Sequence, residues 1–133
     1  SMVNDGEGFQ AEVVERLYRL WFSHPGVDEI TWWNLVDGTA AYAPRNTYKG
    51  ENFFQAGLTN YDISPKKAFT VLDRLINQEW RTNEKLTYEE GAANKFRGYY
   101  GEYEATIKHD GGTTTKRFNL SKNAVKFFKL KIG

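Results

Sequence analysis

The feature that most constrains this chain is a change of apolar period part-way along it. Up to about Trp80, apolar residues recur at helical spacing on either side of one short β-branched run. From Arg81 onward they alternate with polar ones in short bursts separated by glycines. A period of 3.6 places side chains on one face of a helix, and a period of 2 places them on one face of a strand. The chain therefore reads as α+β. Three segments are expected: 1–8, a polar, glycine-rich loop whose Ser1-Met2 start reads as a cloning scar; 9–80, a helix–strand–loop–helix unit; and 81–133, a small antiparallel β domain. A length of 133 residues suits one ordinary domain or two small ones.

The first helix is expected from Phe9. Val13, Leu17, Leu20 and Trp21 fall at i, i+4, i+7 and i+8 and form its apolar stripe, with Glu12, Glu15, Arg16 and Arg19 largely off it. Ser23-His24-Pro25-Gly26 should end it, because proline restricts its predecessor and Pro-Gly favours a turn. His24 is then simply a helix C-terminal residue. A second helix should open at Ser64-Pro65, with Ser64 as N-cap and Pro65 at the first helical position. Its stripe is Ala68, Val71, Leu72, Leu75 and Ile76, closed by Trp80.

Between the helices lies VDEITWWNLVDG, Val27 to Gly38. It reads as a buried strand over Glu29 to Leu35 that ends in a turn and delivers two indoles. Neighbours on a strand face opposite ways, so one cleft receives at most one of Trp32 and Trp33. Both are core residues on one reading, Trp32 more readily than Trp33. On the other they form an aromatic platform for the apolar face of a sugar ring. The connection from Val36 to about Ile63 is long, rich in aromatics and without clear period, as functional or mobile loops are.

Composition excludes several classes of partner. Eighteen basic and 17 acidic side chains leave a net charge of +1, which suggests neither nucleic acid nor an anionic membrane. No apolar run approaches membrane-spanning length. There is no cysteine, hence no disulfide and no thiol chemistry, and no cofactor or metal site is expected. The aromatic share is 16%, high for so short a chain, and fits a dense core or rings held out for a flat ligand.

Three stretches agree in order and spacing with one known family: FQAEVVERLYRLWFSHPGV, DEITWWNLVDG and DISPKKAFTVLDRLI. Together they resemble the C-terminal end of a glycoside hydrolase family 10 catalytic domain, the endo-β-1,4-xylanase family. The resemblance covers rather more than half of the chain. It implies a remnant of a (β/α)8 barrel end, in which Trp33 ends the eighth strand and lines the sugar cleft. Tyr42 or its neighbour falls near a second cleft aromatic, usually tryptophan in that family. The family pattern takes its two catalytic carboxylates from earlier strands, and none of Glu7, Glu12, Glu15 or Glu29 matches them. Asp37 sits at the expected strand end but is half of a pair. The parent would be a xylanase-type enzyme and this chain, on its own, not an enzyme. The implied location is extracellular, where the parent's polymer lies.

The segment 81–133 reads as short strands: Leu86 to Glu89, Lys95 to Tyr100, Tyr103 to Lys108, Thr113 to Leu120 and Val125 to Ile132. His109-Asp110-Gly111-Gly112 is a hairpin turn. Evenly spaced short strands suggest an antiparallel sandwich, similar to the accessory β domain of some family 10 proteins. Tyr99, Tyr100 and Tyr103, among Gly98, Gly101 and Glu102, are either sugar-binding rings or, for Tyr100 and Tyr103, core. Gly98 and Gly101 mark a bulge and a bend. The lysine-rich last strand is a solvated or edge-protecting face.

The sequence thus points to a non-catalytic carbohydrate-binding module that holds xylan or another plant cell-wall β-glycan on Trp32, Trp33, Asp37, Tyr42, Tyr99, Tyr100 and Tyr103. The competing reading is a structural fragment of a xylanase barrel that binds no sugar. A stripe such as Val13/Leu17/Leu20/Trp21 needs a cover, so a homodimer by domain exchange or association with the missing barrel is implied.

Overall fold

A computed structural model of the protein describes residues 5–88 and 94–123. The chain divides into two compact units, Ser1–Glu79 and Trp80–Gly133.

The first unit is built on two helices that pack together. Helix α1 spans Gly6–Ser23. Asp5 caps it, its Oδ1 accepting from Gly8 N–H at 2.8 Å, and Glu7 sits in the first turn, where the helix dipole favours an anion. The cap moves the start of the helix three residues ahead of Phe9. At the far end the His24 N–H donates to Trp21 O, and His24 is already extended before Pro25. The buried face is Ala11, Val14 and Tyr18, not the expected Val13/Leu17/Leu20/Trp21 stripe; Leu20 is 60% exposed. Nine apolar or aromatic side chains spread around this helix, so periodicity alone admits more than one face. The face that packs includes the small Ala11.

Helix α2 spans Lys67–Arg74 and continues into a wider π turn, Leu75–Glu79. Ala68, Leu72 and Leu75 are buried as expected, and Leu75 has no exposed surface. Ile76 lies 45% exposed. Ser64 does not cap this helix. Its N–H and hydroxyl both donate to Asp62 Oδ1, at 3.0 and 2.6 Å, which turns the chain one step earlier and leaves Lys66 at the N-cap with no side-chain cap bond.

The expected strand over Glu29–Leu35 is absent. The stretch is irregular, Asn34 takes a left-handed φ of 59°, and pairing is confined to single bridges, Val36 with Thr59 and Thr59 with Pro65. A strand exists only through a partner's ladder of hydrogen bonds, and no neighbouring strand lies beside this segment among the described residues. The long connection is organised instead by side chains. Asn52, buried in a 3₁₀ turn Gly50–Phe54, accepts from Ala40 N–H at 2.9 Å and donates to Pro44 O at 3.0 Å. Among the described residues there is no barrel remnant: two helices and an irregular connection do not reproduce a strand–helix unit.

The second unit is a two-stranded antiparallel sheet, β1 Gly101–His109 and β2 Gly112–Leu120, joined at Asp110-Gly111. The turn falls where the His-Asp-Gly-Gly signal placed it. Register puts Tyr103 opposite Phe118, their rings stacked at 5.4 Å, with Phe96 against both. Tyr103 Oη donates to Tyr99 O at 2.6 Å and lies 3.0 Å from Thr82 Oγ1. Gly98 marks a close approach and not a bulge: a Cβ there would sit 2.3 Å from Tyr103 Oη. Among the described residues one hairpin stands where a sandwich was expected. Lys95–Tyr100 and Leu86–Tyr88 form no strand, while Glu89 and Val125–Ile132 lie outside the described residues.

Replacing Leu75 with alanine should cost about 2–5 kcal/mol in urea unfolding, as for other fully buried leucines, whereas Leu20→Ala should stay within about 0.5 kcal/mol. A charged cluster also spans the helix pair: Glu15 Oε1 lies 2.9 Å from both Arg74 and Arg19, and Arg19 reaches Glu79 at 2.7 Å. Hydrogen bonds from Arg74, then Arg19, hold the Glu15 carboxyl below its ordinary value. A depressed carboxyl stabilises the fold above its unfolded pKa, and that contribution disappears as pH falls through the lower folded value. Glu15→Gln should therefore flatten the acid limb of the stability–pH curve below about pH 4.5 and leave its slope near neutrality unchanged.

Candidate functional site

The densest polar construction in the first unit centres on three consecutive backbone positions, Gln55 to Gly57. Lys66 Nζ donates to Gln55 O at 2.7 Å. Gln10, from α1, donates to Ala56 O at 3.2 Å and Gly57 O at 3.1 Å. Trp32 Nε1 also donates to Ala56 O, at 3.2 Å. Gly57 N–H donates to Asp37 Oδ1 at 2.8 Å, and Asp37 Oδ2 lies 3.0 Å from Lys66 Nζ. Asp37 and Lys66 are 7% and 4% exposed, so this is a buried ion pair whose charges are further satisfied by backbone. Gly57 admits no side chain, since a Cβ would stand 2.6 Å from Asp37 N. Gln55 takes a left-handed φ of 43°.

Above this floor runs an open groove of about 480 Å³. Phe9, Gln10 and Val13 of α1 form one wall, Phe54 and Ala56 the other, and Trp32 also contributes. Tyr18 stands behind Trp32, ring centroids 6.3 Å apart. Phe9 and Phe54 remain largely exposed, so the lips are aromatic and the floor is polar. A second, smaller hollow of about 200 Å³ is lined by Asn46, Thr47, Tyr48, Asn60 and Tyr61 on the other side of Asp37.

The groove offers little for bond-breaking chemistry. The Asp37 carboxylate is held by Lys66 and Gly57, and the other acid that lines the groove, Glu7, is exposed in the first turn of α1. Among the described residues, no three histidines, cysteines or acids are grouped to hold a metal ion. What remains is a surface that can receive apolar groups beside fixed carbonyls.

Of the seven residues singled out from the sequence, only Trp32 and Asp37 meet at this groove. Trp33 is 74% exposed and Tyr42 99% exposed, and neither lines it. Tyr99, Tyr100 and Tyr103 belong to the second unit. There Tyr103 is half-buried in the Phe96–Phe118 cluster, Tyr99 offers its carbonyl to Tyr103, and Tyr100 is largely exposed. Sequence reasoning missed Lys66, Gln10 and the 55–57 backbone. Lys66 follows Pro65 on what reads as an exposed helix start, and nothing local marks it as the counter-ion of a residue 29 positions away.

No family model matches the chain. Among curated proteins it is similar to the anti-sigma-I factor RsgI6 of Acetivibrio thermocellus, 28% identical over 123 residues. The match covers 92% of this chain, hence both units, and the chain spans about 15% of that protein's length. These findings correct the family 10 resemblance. The three stretches that suggested it find no xylanase-family model, and the relative is named as a regulator of a sigma factor, not as a glycoside hydrolase. The xylanase-type parent, the binding of xylan or a related β-glycan, and the barrel-fragment alternative with its exchanged or barrel partners are corrected with it.

Lys66→Met should cost about 3–5 kcal/mol, because it strands the Asp37 carboxylate. The double variant Asp37→Asn/Lys66→Met should lose clearly less than the sum of its single changes in urea unfolding, since neither charge is then left alone.

Proposed function

We propose that this chain is a non-catalytic module of a regulatory protein of the anti-sigma-I kind. The observation that carries the reading is the similarity to RsgI6 along 92% of the chain, both units included. A likeness of that extent favours a shared two-unit module over a shared short motif. The groove geometry supports it too, because its one buried carboxylate is committed to an ion pair and its lips are aromatic. Surfaces of that kind serve recognition, in which aromatic anchors supply contact area and a fixed polar frame supplies orientation. The regulated partner is then a sigma factor of the sigma-I class, engaged by the whole regulator of which such a module is one part.

Exchange of the matching segment of RsgI6 for this chain tests the reading. A reporter driven by the sigma-I factor should keep its response to the regulator after the exchange. A response that survives equally well when the segment is replaced by an unrelated folded domain of the same length would remove the module from regulation. Purified, the chain should turn over none of a panel of ester, phosphoester and glycoside reporter substrates.

A further inference from the structure

The chain contains two histidines, one in each unit, and both are set in the same way. His24 follows α1 and is succeeded by Pro25 and Gly26. His109 ends β1 and is succeeded by Asp110 and Gly111. In each case the backbone N–H of the glycine two positions on points at the ring nitrogen nearest the backbone: Gly26 N to His24 Nδ1 at 3.1 Å, and Gly111 N to His109 Nδ1 at 3.2 Å. In each case a Cβ on that glycine would press on the ring, 3.3 Å from Cε1. The far nitrogen of His109 also stands 2.9 Å from Thr114 Oγ1 across the hairpin.

We infer that these two imidazole-to-glycine turns form a proton-sensitive pair of latches, closed when the rings are neutral and opened when they are protonated. The chemistry follows from the acceptor. Nδ1 accepts an N–H only through a free lone pair, so each ring must be neutral with its proton on Nε2. In His109 that tautomer also lets Nε2–H donate to Thr114, so both ring nitrogens are matched at once. Protonation of Nδ1 removes the acceptor and sets two N–H groups against each other.

The surroundings bear on the two rings differently. Neither has a carboxylate within ion-pair distance among the described residues. His24 sits just beyond the last turn of α1, and Asp28 is the nearest acid in sequence. His109 is flanked by Lys108 and Asp110 on its own turn and faces Gly112 and the neutral Thr113 and Thr114, with Lys116 further along the opposing strand. The hairpin turn and the exit of α1 are therefore the two places where mild acid should loosen this protein.

Nitrogen-15 NMR on the whole chain tests the inference. At about pH 8 both rings should show the Nε2–H tautomer, and the Gly26 and Gly111 amides should be protected from exchange. Towards about pH 5, across the range in which histidine takes up its proton, that protection, corrected for the intrinsic pH dependence of exchange, should fall several-fold. His24→Asn and His109→Asn supply an acceptor that takes no proton, and in them the protection should persist to low pH. An Nδ1–H tautomer at neutral pH would overturn the inference. So would glycine amides whose corrected exchange is unmoved while the rings titrate.

Discussion

A buried charge pair holds the first unit together. Asp37 and Lys66 come from opposite ends of the long connection, and between them they fix the backbone at 55–57. Burial of two charges is tolerated only where partners surround them, and here the partners are backbone groups that would otherwise be unsatisfied. The same segment receives Gln10 from α1 and the Trp32 indole. One short stretch of main chain thereby ties helix α1, the Trp-Trp segment and the start of α2 to a common point. Gly57 is required there because the Asp37 backbone and carboxylate approach too closely for any side chain.

That polar clamp matters because the apolar core is thin. Eight apolar side chains are buried among the described residues, all of them in the first unit, and Leu75 alone is a large side chain with no exposed surface. Directional bonds locate the loop where packing cannot. The second unit follows the same logic on a smaller scale: a stack of Tyr103 on Phe118, closed by Phe96, is positioned by the Tyr103 hydroxyl between Thr82 and the Tyr99 carbonyl.

Function follows from what these constructions leave available. The carboxylate that a strand-end position suggested for chemistry is committed to structure, and the aromatic groove above it is suited to recognition. Tryptophans and tyrosines look alike in sequence whether they anchor a partner or a core. Adjacent Trp32 and Trp33 are placed differently by the fold: one indole donates to a carbonyl and packs near Tyr18, while its neighbour stands 74% exposed.

What the sequence determined by itself was local. The stop of α1 at His24-Pro25, the Ala68/Leu72/Leu75 face of α2, the hairpin turn at Asp110-Gly111 and the alternation of Tyr103, Ala105 and Ile107 are each set by neighbours a few residues apart, so they could be read directly. Tertiary structure alone decided which of several apolar faces α1 buries, that the β-branched run at Glu29–Leu35 forms no strand, and that Asp37 meets Lys66. A strand needs a partner to bond with, a helix with apolar residues all round needs a neighbour to choose its face, and a buried ion pair needs a counter-charge from 29 residues away. None of those conditions is written in the residues beside them.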